Sequence, residues 1–370
     1  MLHFPELMMK HTALALGVAL ALGAGVAHAQ DKVVNVYNWT DYIDPAVLED
    51  FTKETGIKVV YDTYDNNEIV ETKMMAGKSG YDIVIPSGPF LQRMVAAGVF
   101  QKLDKAKLPN LKNQWPEIAE RLKAFDPGNA HAVNYMWGTT GIGYNVAKAK
   151  ERLGDRPVDS WDIVLKPENI NKFKDCGVMM LDSPEDLFPG VLRAIGLNPD
   201  SKNGADFQKA ADALMKVRGA VRKFHSSEYI NALANGDVCL VVGYSGDMLQ
   251  ARKRAEEARN GVEVAYAIPK EGALMWFDSM VIPTDAPNKD NAYAFIDFMM
   301  RPDIAARNTN FVNYANGNAA SRPLVKPEVL NNPGIYPNDA VLKRLFTNTS
   351  PDDKLQRQIT RLWTRVKTGK

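Results

Sequence analysis

From residue 33 onward, short β-branched runs alternate with amphipathic stretches that end on glycine. VVNVYNW (33–39) reads as a strand, because Val, Tyr and Trp fit a pleated, half-buried surface. Asp44-Pro45 then opens a helix: Asp accepts from the free backbone N–H groups, and Pro is preset for the first turn. Gly56 ends it. The same alternation continues with a strand at 57–64, a helix at 67–77, a strand at 82–87 and a helix running to Gly98. Strands spaced by helices predict βαβ units around a parallel sheet, an α/β class.

A second region starts near Trp137 with the glycine-rich GTTGIGYN (138–145), read as a turn or hinge. CGVMML (176–181) has the pattern of a buried strand, followed by helices over 185–197 and 204–218. Next come VRKFHS (221–226), a helix at 227–236, a strong strand at 237–244 and a charged-faced helix at 247–260. Strands at 262–269 and 275–283, an amphipathic helix at 289–300 and a terminal helix over 351–368 complete the pattern. No repeat or low-complexity linker interrupts it, so ordered strands are expected to join the domains. The 370 residues suit about two domains.

The first 29 residues differ from the rest. Lys10 and His11 precede the apolar run ALALGVALALGAGVA (13–27), and Ala27-His28-Ala29 follows. A positive start, a short apolar middle and an A-x-A end predict a secretory signal peptide over residues 1–29, cut after Ala29. The run is shorter than the roughly 20 residues that span a bilayer. No cysteine stands at the cleavage point, so an exported chain without a lipid anchor is expected. Export to an oxidising compartment leaves Cys176 and Cys239 as either one disulfide or two buried thiols.

Charge and composition exclude several classes. Lys+Arg is 45 against Asp+Glu 44, so the basic excess of a nucleic-acid binder is missing. Mean hydropathy is −0.27, too polar for a multispan membrane protein. Gly243-Tyr244-Ser245-Gly246 mimics a hydrolase nucleophile elbow, but no histidine follows Ser245, so the order Ser…Asp…His cannot be built. Gly138–Gly143 has neither G-K-[ST] nor G-x-G-x-x-G, which argues against a phosphate loop. Beyond the leader only His131 and His225 remain, so neither a structural nor a catalytic metal site is expected. Asn38-Trp39-Thr40 matches a glycosylation sequon, here read as coincidental.

What remains is a set of aromatic and acidic residues at predicted strand ends. Trp39, Thr40, Asp41 and Tyr42 follow the first strand, and Ser87 the third. Asp182, Glu185 and Asp186 follow strand 176–181; Tyr244 and Asp247 follow strand 237–244. Trp276 and Asp278 sit in a late strand, and Tyr314 follows a helix. Ligands of open α/β sheets bind outside the carboxyl ends of strands. Rings and carboxylates together suit an organic cation, through cation–π attraction and ammonium hydrogen bonds.

These residues lie in stretches that carry a family resemblance: YNWTDYI (37–43), ETGIKVVYD (54–62), YDIVIPS (81–87), YMWGTTGIGYN (135–145), PVDSWD (157–162), KFHSSEYINALANGD (223–237), IPKEG (268–272), NPGIYP (332–337) and TRLWTRVKTGK (360–370). Across the whole mature chain the sequence resembles the periplasmic polyamine-binding proteins, the putrescine and spermidine receptors of ABC importers. The resemblance implies a two-lobed periplasmic-binding-protein fold, each lobe a mostly parallel sheet flanked by helices. It places lobe one at 31–137 plus 262–306 and lobe two at 138–261 plus 307–370, with ligand between them.

It further implies that Trp39, Tyr244 and Trp276 stack along the methylenes of a polyamine. Asp278, with Thr40 and Asp41 nearby, would hold one ammonium. Asp247 and Asp186 would hold the other, with Ser87, Ser227 and Tyr314 completing the shell. Cys176 and Cys239 match a family disulfide. Trp276 stands where putrescine receptors usually carry Phe, Asp186 replaces a Glu, and Pro89 replaces a small polar residue. Asp247 matches the putrescine type. The implied partner is a membrane permease; no cofactor, metal or nucleic acid is expected, and the chain is expected to be a monomer.

Overall fold

The computed structural model describes residues 32–370; the expected signal peptide, residues 1–29, lies outside them. Ten strands form the sheets: β1 (Val33–Trp39), β2 (Lys58–Tyr64), β3 (Ile83–Val84), β4 (Ala132–Asn145), β5 (Val178–Met180), β6 (Val221–Phe224), β7 (Leu240–Tyr244), β8 (Val264–Ala267), β9 (Met275–Val281) and β10 (Ala315–Asn316). Their order is β2-β1-β3-β9-β4-β7-β5-β6, with β8 and β10 also paired to β4.

The βαβ expectation holds at both ends of this path. β1 pairs in parallel with β2 and β3, and β5 with β6 and β7. Between them the pairing is antiparallel, so the architecture is mixed. β4 pairs with β9 through Ala132–Thr139, then with β7 and β8 through Thr140–Asn145. One 14-residue strand thus runs through both lobes.

Gly138, Gly141 and Gly143 lie inside this strand rather than at a turn. A Cβ on each would fall 2.5 Å from Trp276 Cζ2, 2.5 Å from the Tyr266 hydroxyl and 2.0 Å from Met248 Sδ. Their role is close approach: large side chains occupy the space a Cβ would need.

Helices form where their ends are marked. In Pro45–Thr55, Asp44 accepts from Ala46 N–H at 3.0 Å, and Gly56 stops the helix at φ +71°. Its inner face buries Val47 and Phe51, the latter edge-on to Phe295 and Phe298. The terminal helix Asp353–Thr368 is capped by Asp352 and buries Leu355, Ile359, Leu362, Trp363 and Val366.

Core packing divides the chain differently from the expected boundaries. Val264 and the terminal helix share one core with β5, β7 and the distal half of β4. Val312 and Tyr314 pack instead against Phe51 and Met280 on one side of the first sheet. Val325, Val329 and Ile335 pack on the other side with Phe90 and Phe277. We infer that residues 264–267 belong to lobe two and residues 312–335 to lobe one, where the resemblance placed them the other way round. Hydrophobic periodicity identifies an element, not the sheet it joins. We infer that the chain crosses between lobes three times: within β4, between β8 and β9, and between Ile335 and Leu355.

Cys176 and Cys239 form a disulfide with Cα atoms 5.8 Å apart. It ties the segment before β5 to the start of β7. Among the described residues no helix is long and apolar enough to cross a membrane.

Candidate functional site

β1, β5 and β7 end at one cleft, and β9 crosses its floor. Trp39 and Tyr244 are the last residues of β1 and β7, and Asp186 lies in the first turn of helix Pro184–Ala194 beyond β5. Asp247 lies in the first turn of helix Ser245–Ala258. Trp276 and Asp278 belong to β9, and Ser87 precedes helix Gly88–Ala96. The cleft holds about 460 Å³ of empty space and is lined by these residues with Thr40, Ser227 and Tyr314.

Ten of the eleven expected site residues therefore meet in one cavity. Asp41 does not line it. Its backbone turns into the left-handed region at φ +56°, and its exposed carboxylate meets Arg254 Nη2 at 3.0 Å. Tyr42, Tyr64, Asp65, Ser226 and Ile230 also line the cavity and were not expected there as ligand-facing groups. Tyr42 stood in the motif YNWTDYI, and Ser226 and Ile230 in KFHSSEYINALANGD; Tyr64 and Asp65 lay in no family motif, and folding alone brings them to the cleft.

Rings form a connected wall. Tyr244 meets Trp39 at 6.4 Å and Trp276 at 5.5 Å between centroids. Trp276 meets Tyr314 at 5.3 Å, and Tyr314 meets Tyr42 at 5.1 Å. All four contacts are edge-to-face, which the ring quadrupole favours. Small residues make room: a Cβ on Gly246 would sit 2.5 Å from the Tyr314 ring. Ser245, the residue of the false elbow, is buried and accepts from Thr139 N–H at 3.3 Å.

Three carboxylates are held by hydroxyl donors. Asp278 accepts from Ser87 Oγ at 2.5 Å and from the Tyr42 hydroxyl at 2.8 Å. Asp247 accepts from the Tyr229 and Tyr314 hydroxyls, each at 2.6 Å. Asp186 accepts from the Tyr244 hydroxyl at 2.7 Å. Burial pushes Asp278 up to about 7 and Asp247 and Asp186 up to about 6; the hydroxyl bonds pull the other way without cancelling it. Burial, then neighbouring carboxylates, hold Tyr42, Tyr244 and Tyr314 well above the usual phenol range, so they stay protonated donors. Among the described residues, no lysine, arginine or histidine lines the cleft. The arrangement is a cation trap: buried negative charge, aromatic faces, and no internal counterion.

Behind the cleft, Glu68 opens helix Asn67–Ala76 and Glu185 opens helix Pro184–Ala194. Each keeps a buried carboxylate oxygen without a hydrogen-bond partner. Burial first, then the Glu185 charge, pushes Glu68 up to about 9. A group raised in this way contributes stability that is lost as pH rises through its folded value. Glu68→Gln should therefore melt a few degrees above wild type at pH 9, and scanning calorimetry checks this. A variant that melts below wild type at that pH overturns the assignment.

The profile of the bacterial extracellular solute-binding protein family matches residues 46–337. The chain belongs to that family. It is 54% identical over 368 residues to the putrescine-binding periplasmic protein SpuD of Pseudomonas aeruginosa, covering 98% of this chain and 100% of the relative. It is 52% identical over 359 residues to the putrescine-binding periplasmic protein PotF of Escherichia coli, covering 96% and 97%. The solved structure of the spermidine/putrescine ABC transporter substrate-binding protein PotD of Streptococcus pneumoniae superposes with a TM-score of 0.73 at 32% identity, covering 91% of this chain and 99% of that one. The chain has the two-lobed fold of this solute-binding family, and its cavity chemistry fits a capture role.

Proposed function

We propose that this protein is a periplasmic receptor that captures polyamines and hands them to the permease of an ABC importer. The observation that carries the reading is a cleft with no lysine, arginine or histidine among its described lining residues, in which Asp247 and Asp278 are buried and Asp186 half-buried among Trp39, Tyr244, Trp276 and Tyr314. A linear diammonium matches it: methylenes lie against the rings, and each ammonium meets carboxylate. The relatives named for putrescine support the same class.

Lobe closure follows from the same arrangement. Asp278 belongs to the sheet of lobe one and Asp186 and Asp247 to helices of lobe two, so a ligand bridging them favours the closed form over the open one. Calorimetry with putrescine, spermidine, lysine and glycine betaine tests the ligand class, and small-angle scattering tests closure. Putrescine and spermidine should both bind, and saturation should shrink the radius of gyration. Preference for betaine or lysine overturns the polyamine reading; an unchanged radius with binding confirmed overturns the clamp.

A further inference from the structure

The charge of the cleft exceeds what a diamine neutralises. Four carboxylates line it: Asp186, Asp247, Asp278 and, in addition, Asp65. The first three each have a hydroxyl donor at 2.5–2.8 Å. Asp65 has none. Its closest donor is Asn66 Nδ2 at 3.4 Å, and its side chain, which lines the cavity, is 32% exposed.

Across from it, on the other lobe, stands His225. The His225 Nδ1 accepts backbone N–H bonds from Ser227 at 3.1 Å and Glu228 at 3.2 Å. In the neutral ring this leaves the proton on Nε2. That single N–H lies 3.2 Å from Glu228 Oε1 and 3.7 Å from Asp65 Oδ2, so Glu228 takes it and Asp65 is left without a close partner. Ser226 and Ser227 line the cavity on the same side as His225. An ionisable acceptor thus faces the ligand space, partly in water, with His225 Nε2, shared with Glu228, as its neighbouring basic group at 3.7 Å.

We infer that Asp65 is a specificity residue: it receives the third charge of a triamine and sets the preference between tri- and diammonium ligands. The inference rests on the polyamine reading above. A diammonium is held by the buried carboxylates alone. A longer triammonium occupies the same buried anchors and extends toward the mouth, where its remaining ammonium stays partly hydrated beside Asp65. Because that contact is half-exposed, its contribution is moderate, and it falls on the ratio of affinities more than on either affinity.

The test is calorimetry of the full mature chain with putrescine and spermidine, on wild type, Asp65→Asn and Asp65→Glu. In Asp65→Asn the spermidine-to-putrescine ratio of dissociation constants should rise at least fivefold, and Asp65→Glu should keep the ratio within twofold of wild type. His225→Gln, which removes the cross-lobe neighbour but not the carboxylate, should not reproduce the Asp65→Asn change. An equal loss for both ligands in Asp65→Asn means that the residue only supports the closed form, and overturns the inference. So does an unchanged ratio. If wild type binds neither polyamine, the function itself fails, and the inference with it; wild-type binding without a change in ratio overturns the inference alone.

Discussion

Asp278→Asn should weaken putrescine binding by about thirtyfold or more, and Asp247→Asn should do the same. Each substitution leaves a ligand ammonium in a buried site without its counter-charge, a loss of about 2–5 kcal/mol. Asp278 is the sharper case. Ser87 and Tyr42 both donate to its two oxygens. An asparagine offers one acceptor and one NH2, so one hydroxyl must rotate to accept, and the remaining lone pairs no longer face the ligand with full charge. Asp247 is held by Tyr229 and Tyr314 in the same manner. The apo proteins should be no less stable than wild type at pH 8, because the native carboxylates carry a burial cost that the amides lack. Titration calorimetry and thermal melts on both variants check this. Near-wild-type affinity in both would mean that charge recognition resides elsewhere.

Much of the frame was legible because its signals are local. Asp44-Pro45 and Gly56 mark one helix within 13 residues, and strand 33–39 matches β1 residue for residue. β4 was not legible as a strand. It is buried along nearly its whole length, so no in–out alternation shows, and its glycines imitate a turn. The reason for those glycines lies in Trp276, Tyr266 and Met248, all more than 100 residues further along the chain. The lobes implied for residues 264–267 and 312–335 differ from the cores they pack in for a related cause: joining a sheet is a tertiary event.

The site shows the same split. Trp39, Asp186, Tyr244, Asp247 and Asp278 were legible from strand ends and family motifs, and all line the cleft. Of the hydroxyl donors that tune them, Ser87, Tyr244 and Tyr314 were expected in the site, but none was legible as the partner of a particular carboxylate, and Tyr42 and Tyr229 were not expected as ligand-facing or tuning groups. Tyr42 reaches Asp278 from 236 positions away, and Tyr314 reaches Asp247 from 67. Tyr229 lies 18 residues before Asp247, on another helix, with nothing in its own segment to mark it as a hydroxyl donor. Asp41 was misplaced because sequence adjacency to Thr40 does not reveal the left-handed turn that sends its side chain to Arg254.

Polyamine affinity should fall by about ten-thousandfold between pH 8 and pH 5, with the diamine doubly charged throughout. In the apo protein burial holds Asp278 at about 7 and Asp247 and Asp186 at about 6. An ammonium placed beside each favours the ionised form and pulls these values down. Binding therefore releases protons wherever the apo groups are protonated. Each carboxylate then costs about tenfold in affinity per pH unit below its apo value, and Asp278 begins to do so first. The sign for stability is opposite in the apo protein. Values raised above the unfolded carboxylate range give stability that is complete at low pH and lost as pH rises through 6 and 7. The melting-temperature gain from saturating putrescine should accordingly grow from pH 5 to pH 8, because the apo protein loses stability while the ligand gains affinity. Calorimetry in two buffers of different ionisation enthalpy counts the protons directly: near zero released at pH 8.5, more than one at pH 6. Asp278→Asn should remove the part of the release centred near pH 7 and leave the part near pH 6. A dissociation constant that stays flat from pH 8 to pH 5 would show that these carboxylates are ionised before the ligand arrives, and that the cleft is better hydrated than its burial indicates.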